Sequence, residues 1–125
     1  MNITRLYADY RDLRAGKFGK LLWTRARPKD DARGGGEELL VHGTHWFDLM
    51  IDIGGPPRWV SSHITVAGRD AVRADRREGS EPVGPVAGDN IAAVFGFDGG
   101  VRGLFDSTAN TAPKKDAAWD SVFRA

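Results

Sequence analysis

Cysteine is absent from this 125-residue chain, which excludes a disulfide framework, a thiolate metal site and a cysteine nucleophile. Long apolar runs are missing as well. No stretch approaches the roughly 20 apolar residues that span a bilayer. The opening MNITRLYADYRD carries acids and has no continuous apolar core, so it does not read as a signal peptide. Charge of one sign is also scarce: 18 Lys and Arg against 17 Asp and Glu leave a formal net charge of +1. That balance gives no global electrostatic case for nucleic acid or an anionic membrane. A soluble, cytoplasmic protein with neither kind of partner is expected. What is present is ordinary for a globular domain, with 41% hydrophobic and 28% charged residues, and the length fits one domain.

The apolar spacing gives the elements. Ile3, Leu6, Tyr7, Tyr10 and Leu13 recur at helical intervals, which predicts a helix over Ile3 to Ala15 with Asn2 as N-cap and Gly16 as its stop. Leu21, Leu22 and Trp23 read as a short buried strand. Pro28 and residues 29–36, rich in charge and glycine, read as a loop. A second helix is predicted from Glu37 to Ile53, ending at Gly54-Gly55-Pro56-Pro57. At about 100° per residue, Leu39, Leu40, Gly43, Trp46, Phe47, Met50, Ile51 and Ile53 form its packed arc. Glu38, Val41, His42, Thr44, His45, Asp48, Leu49 and Asp52 form the opposite one. Gly43 invites close approach by a bulky neighbour.

Alternation then predicts a strand over Arg58 to Val66. Gly68 to Asp89 reads as a long loop, with the charged run Asp70 to Glu81 solvated. A β-hairpin follows, Ile91 to Phe97 and Val101 to Ser107 joined by Asp98-Gly99-Gly100. The tail has no period beyond a weak apolar cluster at Trp119, Val122 and Phe123. Trp23, Trp46 and Trp59 are expected in the core. Strands without alternating helices favour an α+β fold, a mostly antiparallel sheet with two helices packed on one face. Residues 1–108 are assigned to that domain and 109–125 to a divergent tail.

The residues with chemistry cluster on the second helix. GGGEELLVHGTHWFDL, from Gly34 to Leu49, is followed by IGGPPRWV and, later, by GDNIAAVFGFDGGVRGLFDS. With the opening helix ending at Gly16, this ordered set resembles the Gfo/Idh/MocA oxidoreductase family over roughly Arg5 to Ser107. Gly43, His45 and Asp48 match its G-x-H-x-x-D pattern. The resemblance implies a substrate and oligomerisation domain that normally follows a Rossmann domain. It also implies hydride transfer between NAD or NADP and a hydroxyl carbon of a sugar or cyclitol. His45 falls at the catalytic position, with His42 and Asp48 as substrate-binding candidates. An imidazole titrating near neutrality can accept a proton as hydride leaves the same carbon.

Two departures qualify the match. The aspartate that many members carry four residues before the histidine is Val41 here, and His42 could partly substitute. No G-x-G-x-x-G or Lys-Pro dipeptide occurs, so the chain is expected to be a fragment without the nucleotide-binding half, binding no cofactor alone. The implied partners are a sugar-like small molecule, a second copy packed through the sheet face, and a separate Rossmann domain. Three alternatives stay open: a stand-alone, non-catalytic binding or dimerisation module; a metal site from His42, His45, Asp48 and Asp52, which lacks the H-E-x-x-H spacing; and purely structural roles for His45, as a hydrogen-bonded helix histidine, and for Asp48, as a buried acceptor. Gly34 to Gly36 read as a flexible loop, a close-approach segment near substrate, or both.

Overall fold

The computed structural model describes residues 11–29 and 31–110. The predicted first helix therefore lies mostly outside the described residues, as do Asn2 and the cluster at Trp119, Val122 and Phe123. Its end is visible: residues 11–14 are helical (α1), the Ala15 N–H bonds the Arg11 carbonyl at 2.9 Å, and Gly16 turns the chain at φ 74°. That is the glycine stop expected there.

The fold is α+β. Its elements run β1 (Trp23–Ala26), α2 (Gly36–Val41), α3 (Gly43–Gly54), β2 (Trp59–Val66), β3 (Arg69–Asp70), β4 (Arg77–Glu78), β5 (Pro85–Val86), β6 (Asn90–Gly96) and β7 (Arg102–Thr108). Five strands form one sheet in the order β1-β7-β6-β2-β3, and β4 pairs with β5 separately. All pairs are antiparallel except β1 with β7. The β6–β7 hairpin turns at Asp98–Gly100, where Gly99 and Gly100 adopt φ 72° and 77°, as the Asp-Gly-Gly sequence leads one to expect.

Residue pairing sorts the side chains onto two faces. Ala26, Ile91, Ala93 and Phe105 point to the helices and close the core with Met50 and Phe97. Phe47 of α3 packs its ring against Phe95 and Phe105, centroids 5.2 and 5.1 Å away. The Phe105 ring also lies close to Gly43, where a Cβ would stand 3.4 Å from it, in ordinary van der Waals contact. The close approach expected at that glycine is thus realised by a core aromatic.

Several expectations fail, each for a physical reason. The first strand lies over Trp23–Ala26, not Leu21 to Trp23, and Leu22 and Trp23 are exposed. Only Ala26 of this strand is buried, because alternation turns Trp23 to the face without helices. Trp59 lies on that same uncovered face, and Trp46 on a flank of α3, so none of the three tryptophans enters the core. The predicted single helix is two, broken at His42 (φ −99°, ψ −27°). The break rotates the arcs: Leu40, Trp46 and Ile51 are exposed, whereas Glu38, assigned to the polar face, is buried.

The predicted loop Gly68 to Asp89 contains β3, β4, β5 and a 3-10 turn at Arg73–Asp75. Its charged run is largely exposed, as expected, but part of it is paired within the fold: Arg69 with Asp75, Arg77 with Glu37 and Glu81 with Arg33. Asp75, 11% exposed at its side chain, accepts a bidentate Arg69 pair at 2.6 and 2.9 Å and the Val72 N–H at 2.8 Å. The Arg69 hydrogen bond, then that amide, hold the Asp75 carboxyl down at about 2. A folded value below the unfolded one means stability that is present above the unfolded value and lost as pH falls. Wild-type protein should therefore lose this contribution between about pH 4 and pH 2. Asp75→Asn should flatten the acid-unfolding profile over that window; an unchanged profile by circular dichroism would refute the assignment.

Candidate functional site at the helix junction

The site is built outward from the three glycines. At Gly34 an added Cβ would overlap the Thr108 carbonyl, at Gly35 the Gly88 carbonyl, and at Gly36 the Ala87 carbonyl. Gly35 also needs its φ of 88°. The segment is a tight backbone crossing over the ends of β6 and β7, not a flexible loop. It begins α2 and so places every residue that follows.

α2 starts with Glu37 and Glu38, both buried. Glu37 accepts the Ser80 hydroxyl at 2.6 Å and the Glu81 N–H at 3.0 Å, with Arg77 at 3.6 Å. These donors, the Ser80 hydroxyl first, push its carboxyl below the usual carboxylate range. Arg33 bridges Asp31 and Glu81 beside it. The cluster fastens the segment around Ser80 to the start of α2, and its groups are mutually satisfied.

Glu38 is different. It is 0% exposed; Oε1 lies 2.6 Å from Nδ1 of His42, and Oε2 has no hydrogen-bond partner among the described residues. His42 caps both helices. Its N–H bonds the Glu38 carbonyl at 3.0 Å, while its own carbonyl accepts from His45 N at 3.1 Å. The imidazole is 41% exposed.

His45 and Asp48 follow in the first turns of α3, both exposed and three residues apart, which puts them side by side on its outer surface. Among the described residues neither side chain has a hydrogen-bond partner. Asp52, one turn on, faces Arg14 at 3.7 Å. Steps of three residues set His42, His45 and Asp48 about 60° apart in succession around the helix, and Glu38, which periodicity puts on the same polar arc, is buried against the His42 ring. Its spacing of four residues from His42 was the available signal. No group of three or more His, Asp or Glu side chains able to hold a metal occurs among the described residues. The third histidine, His63, lies on β2 and pairs with Asp70 at 2.9 Å.

A dinucleotide would need free backbone N–H groups to meet its pyrophosphate. The glycine segment has none to give: Gly34 N bonds the Asp31 carbonyl at 3.0 Å, Gly35 N the Ser107 hydroxyl at 2.9 Å, and Gly36 N the Gly88 carbonyl at 3.0 Å. These residues do not fit a nucleotide phosphate. The opposite face of the sheet carries a shallow concavity of about 510 Å³, bordered by Trp23, Arg25, Ser61, His63, Val94 and Leu104. No helix among the described residues is long and apolar enough to cross a membrane.

An α+β layer carrying an exposed G-x-H-x-x-D helix is the arrangement expected of a C-terminal domain in the Gfo/Idh/MocA oxidoreductase family. The family comparison agrees: the model for the GFO/IDH/MocA C-terminal domain matches residues 3–123, and the chain belongs to that family. A comparison with curated proteins finds no match.

Proposed function

We propose that this chain is the substrate-binding and oligomerisation domain of an NAD(P)-dependent oxidoreductase acting on a sugar or cyclitol hydroxyl, inactive until a separate domain supplies the nucleotide. The observation that carries this reading is the outer surface of α3, where His45 and Asp48 stand exposed, with no side-chain partner among the described residues, in a chain of this family. On this reading His45 accepts the hydroxyl proton, while Asp48 and His42 hold neighbouring hydroxyls. The exposure of these groups fits a site completed by another body.

The test has two arms. Titrated alone with NADH, the chain should show no saturable micromolar binding; such binding would count against the reading. Mixed with a Rossmann domain of the family that itself binds NADH, it should yield dehydrogenase activity on a panel of sugars and cyclitols. A competent partner without activity would favour the stand-alone, non-catalytic module.

The partner for the open sheet face is a second copy. Trp23 and Trp59 are 56% and 52% exposed there, beside Val94 and Leu104, and this uncovered aromatic surface supports the reading. Leu104→Arg sets a second cation beside Arg25, its neighbour in the β1–β7 register. Sedimentation should find a dimer for the wild type and a monomer for this variant. A monomeric wild type at tens of micromolar would refute the assignment.

A further inference from the structure

We infer that Glu38 is a positioning residue that locks His42 as its Nδ1–H tautomer, leaving Nε2 as a bare acceptor for a substrate hydroxyl beside His45; this rests on the function proposed above. The first support is geometric. The Glu38 carboxylate is wholly buried and its one hydrogen bond, at 2.6 Å, goes to Nδ1 of His42. With Glu38 ionised and the ring neutral, the carboxylate can only accept, so the hydrogen of that bond sits on Nδ1 and Nε2 offers a lone pair.

The second support is energetic. Oε2 of Glu38 is buried with no hydrogen-bond partner among the described residues. A buried carboxylate with one oxygen unsatisfied is a poor stability device, and an apolar side chain of similar size would serve folding as well or better. Its visible effect is on His42, whose backbone is simultaneously held at both ends, by the Glu38 carbonyl and by His45 N. The ring is thus fixed at Cα, at the junction of two helices, and at Nδ1, while 41% of the side chain stays open to solvent.

The third support is placement. His42 and His45 are three residues apart with a backbone hydrogen bond between them, so their side chains rise from adjacent points of one surface. One ring taking the proton of the reacting hydroxyl and a second accepting from its neighbour select a substrate with vicinal hydroxyls. An acceptor at Nε2 requires the uncommon tautomer, and Glu38 enforces it. No equivalent carboxylate holds His45 among the described residues.

The experiment uses the isolated chain labelled with 15N at histidine. Long-range 1H–15N spectra at a pH where the rings are neutral should find His42 as the Nδ1–H tautomer, with Nε2 at the shift of an unprotonated nitrogen. Glu38→Leu should move His42 to the Nε2–H form and leave the His63 signals unchanged. Titration with myo-inositol should shift the His42 Nε2 resonance in the wild type, with the shift reduced several-fold in Glu38→Leu. The inference is overturned by an Nε2–H His42 in the wild type, by a tautomer indifferent to Glu38→Leu, or by an Nε2 resonance that does not respond to the cyclitol. The wild-type spectrum decides the tautomer even if the variant does not fold. The proposed function fails separately, in the mixing assay, whatever form His42 takes.

Discussion

Gly36→Ala should destabilise the domain by about 3 kcal/mol or more, the upper end of what overpacking costs. The added methyl would overlap the Ala87 carbonyl, with the Ala87 N and C atoms also within reach. These are backbone atoms of a segment held in place, since the Gly88 carbonyl accepts the Gly36 N–H at 3.0 Å and the Asp89 N–H bonds the Thr65 carbonyl at 2.9 Å. Relief would require moving the start of α2 off the sheet and breaking the crossing that positions Glu38 and His42. Against a total stability of roughly 5–15 kcal/mol, that loss is large. Gly96→Ala supplies the contrast. Its methyl would meet the Trp59 ring, equally tightly, but that ring ends a side chain that can turn aside, whereas the Ala87 carbonyl belongs to held backbone. It should cost no more than about 1 kcal/mol. Urea unfolding of the two variants decides the matter; equal midpoints would show that the backbone crossing is not what the glycine protects.

The same contrast explains how much of the fold was readable beforehand. The β6–β7 hairpin was legible because alternation and the Asp-Gly-Gly turn both report local backbone geometry. The strand Trp59–Val66 was legible for the same reason. Burial was not. Trp23 and Trp59 belong by size and hydropathy to a core, yet register puts them in line with Arg102 and Gly96 on the face that no helix covers. Which face is covered depends on how distant strands pair, and a single strand's alternation carries no trace of it. The long segment from Gly68 to Asp89 was opaque for a related reason: its order comes from Arg69–Asp75, Arg33–Glu81 and Glu37–Ser80 contacts, and charge in a sequence looks the same whether paired or solvated.

In the candidate site, His45 and Asp48 followed from a motif, and both lie where a helix surface would present them. The break at His42 was hidden because its backbone departs only modestly from helical values, too little to disturb the apolar period. Glu38 falls on the polar arc only when α2 and α3 are read as a single helix, which carries the α3 arc back into α2. Once α2 starts from a glycine crossing pressed onto the strands, its first turn points inward whatever the residue's polarity. A glutamate four residues before a histidine was the clue in plain view, and burial turns it from a weak surface pair into a directional one.

His45→Asn in the protein combined with a nucleotide-binding partner should lower kcat by about 10²- to 10⁴-fold, the usual range for removing a general acid–base group. That corresponds to roughly 3–5 kcal/mol of transition-state stabilisation. Asparagine keeps a polar side chain of comparable reach on an exposed position, so folding should be unaffected and KM should change only a few-fold. His42→Asn and Glu38→Leu should behave in the opposite sense, raising KM more than they lower kcat, because they remove a contact made to bound substrate and not the proton acceptor. The split between the two histidines is the decisive reading. If His42→Asn abolishes kcat while His45→Asn leaves it intact, the proton goes to the ring that Glu38 holds, and the roles assigned to His42 and His45 must be exchanged.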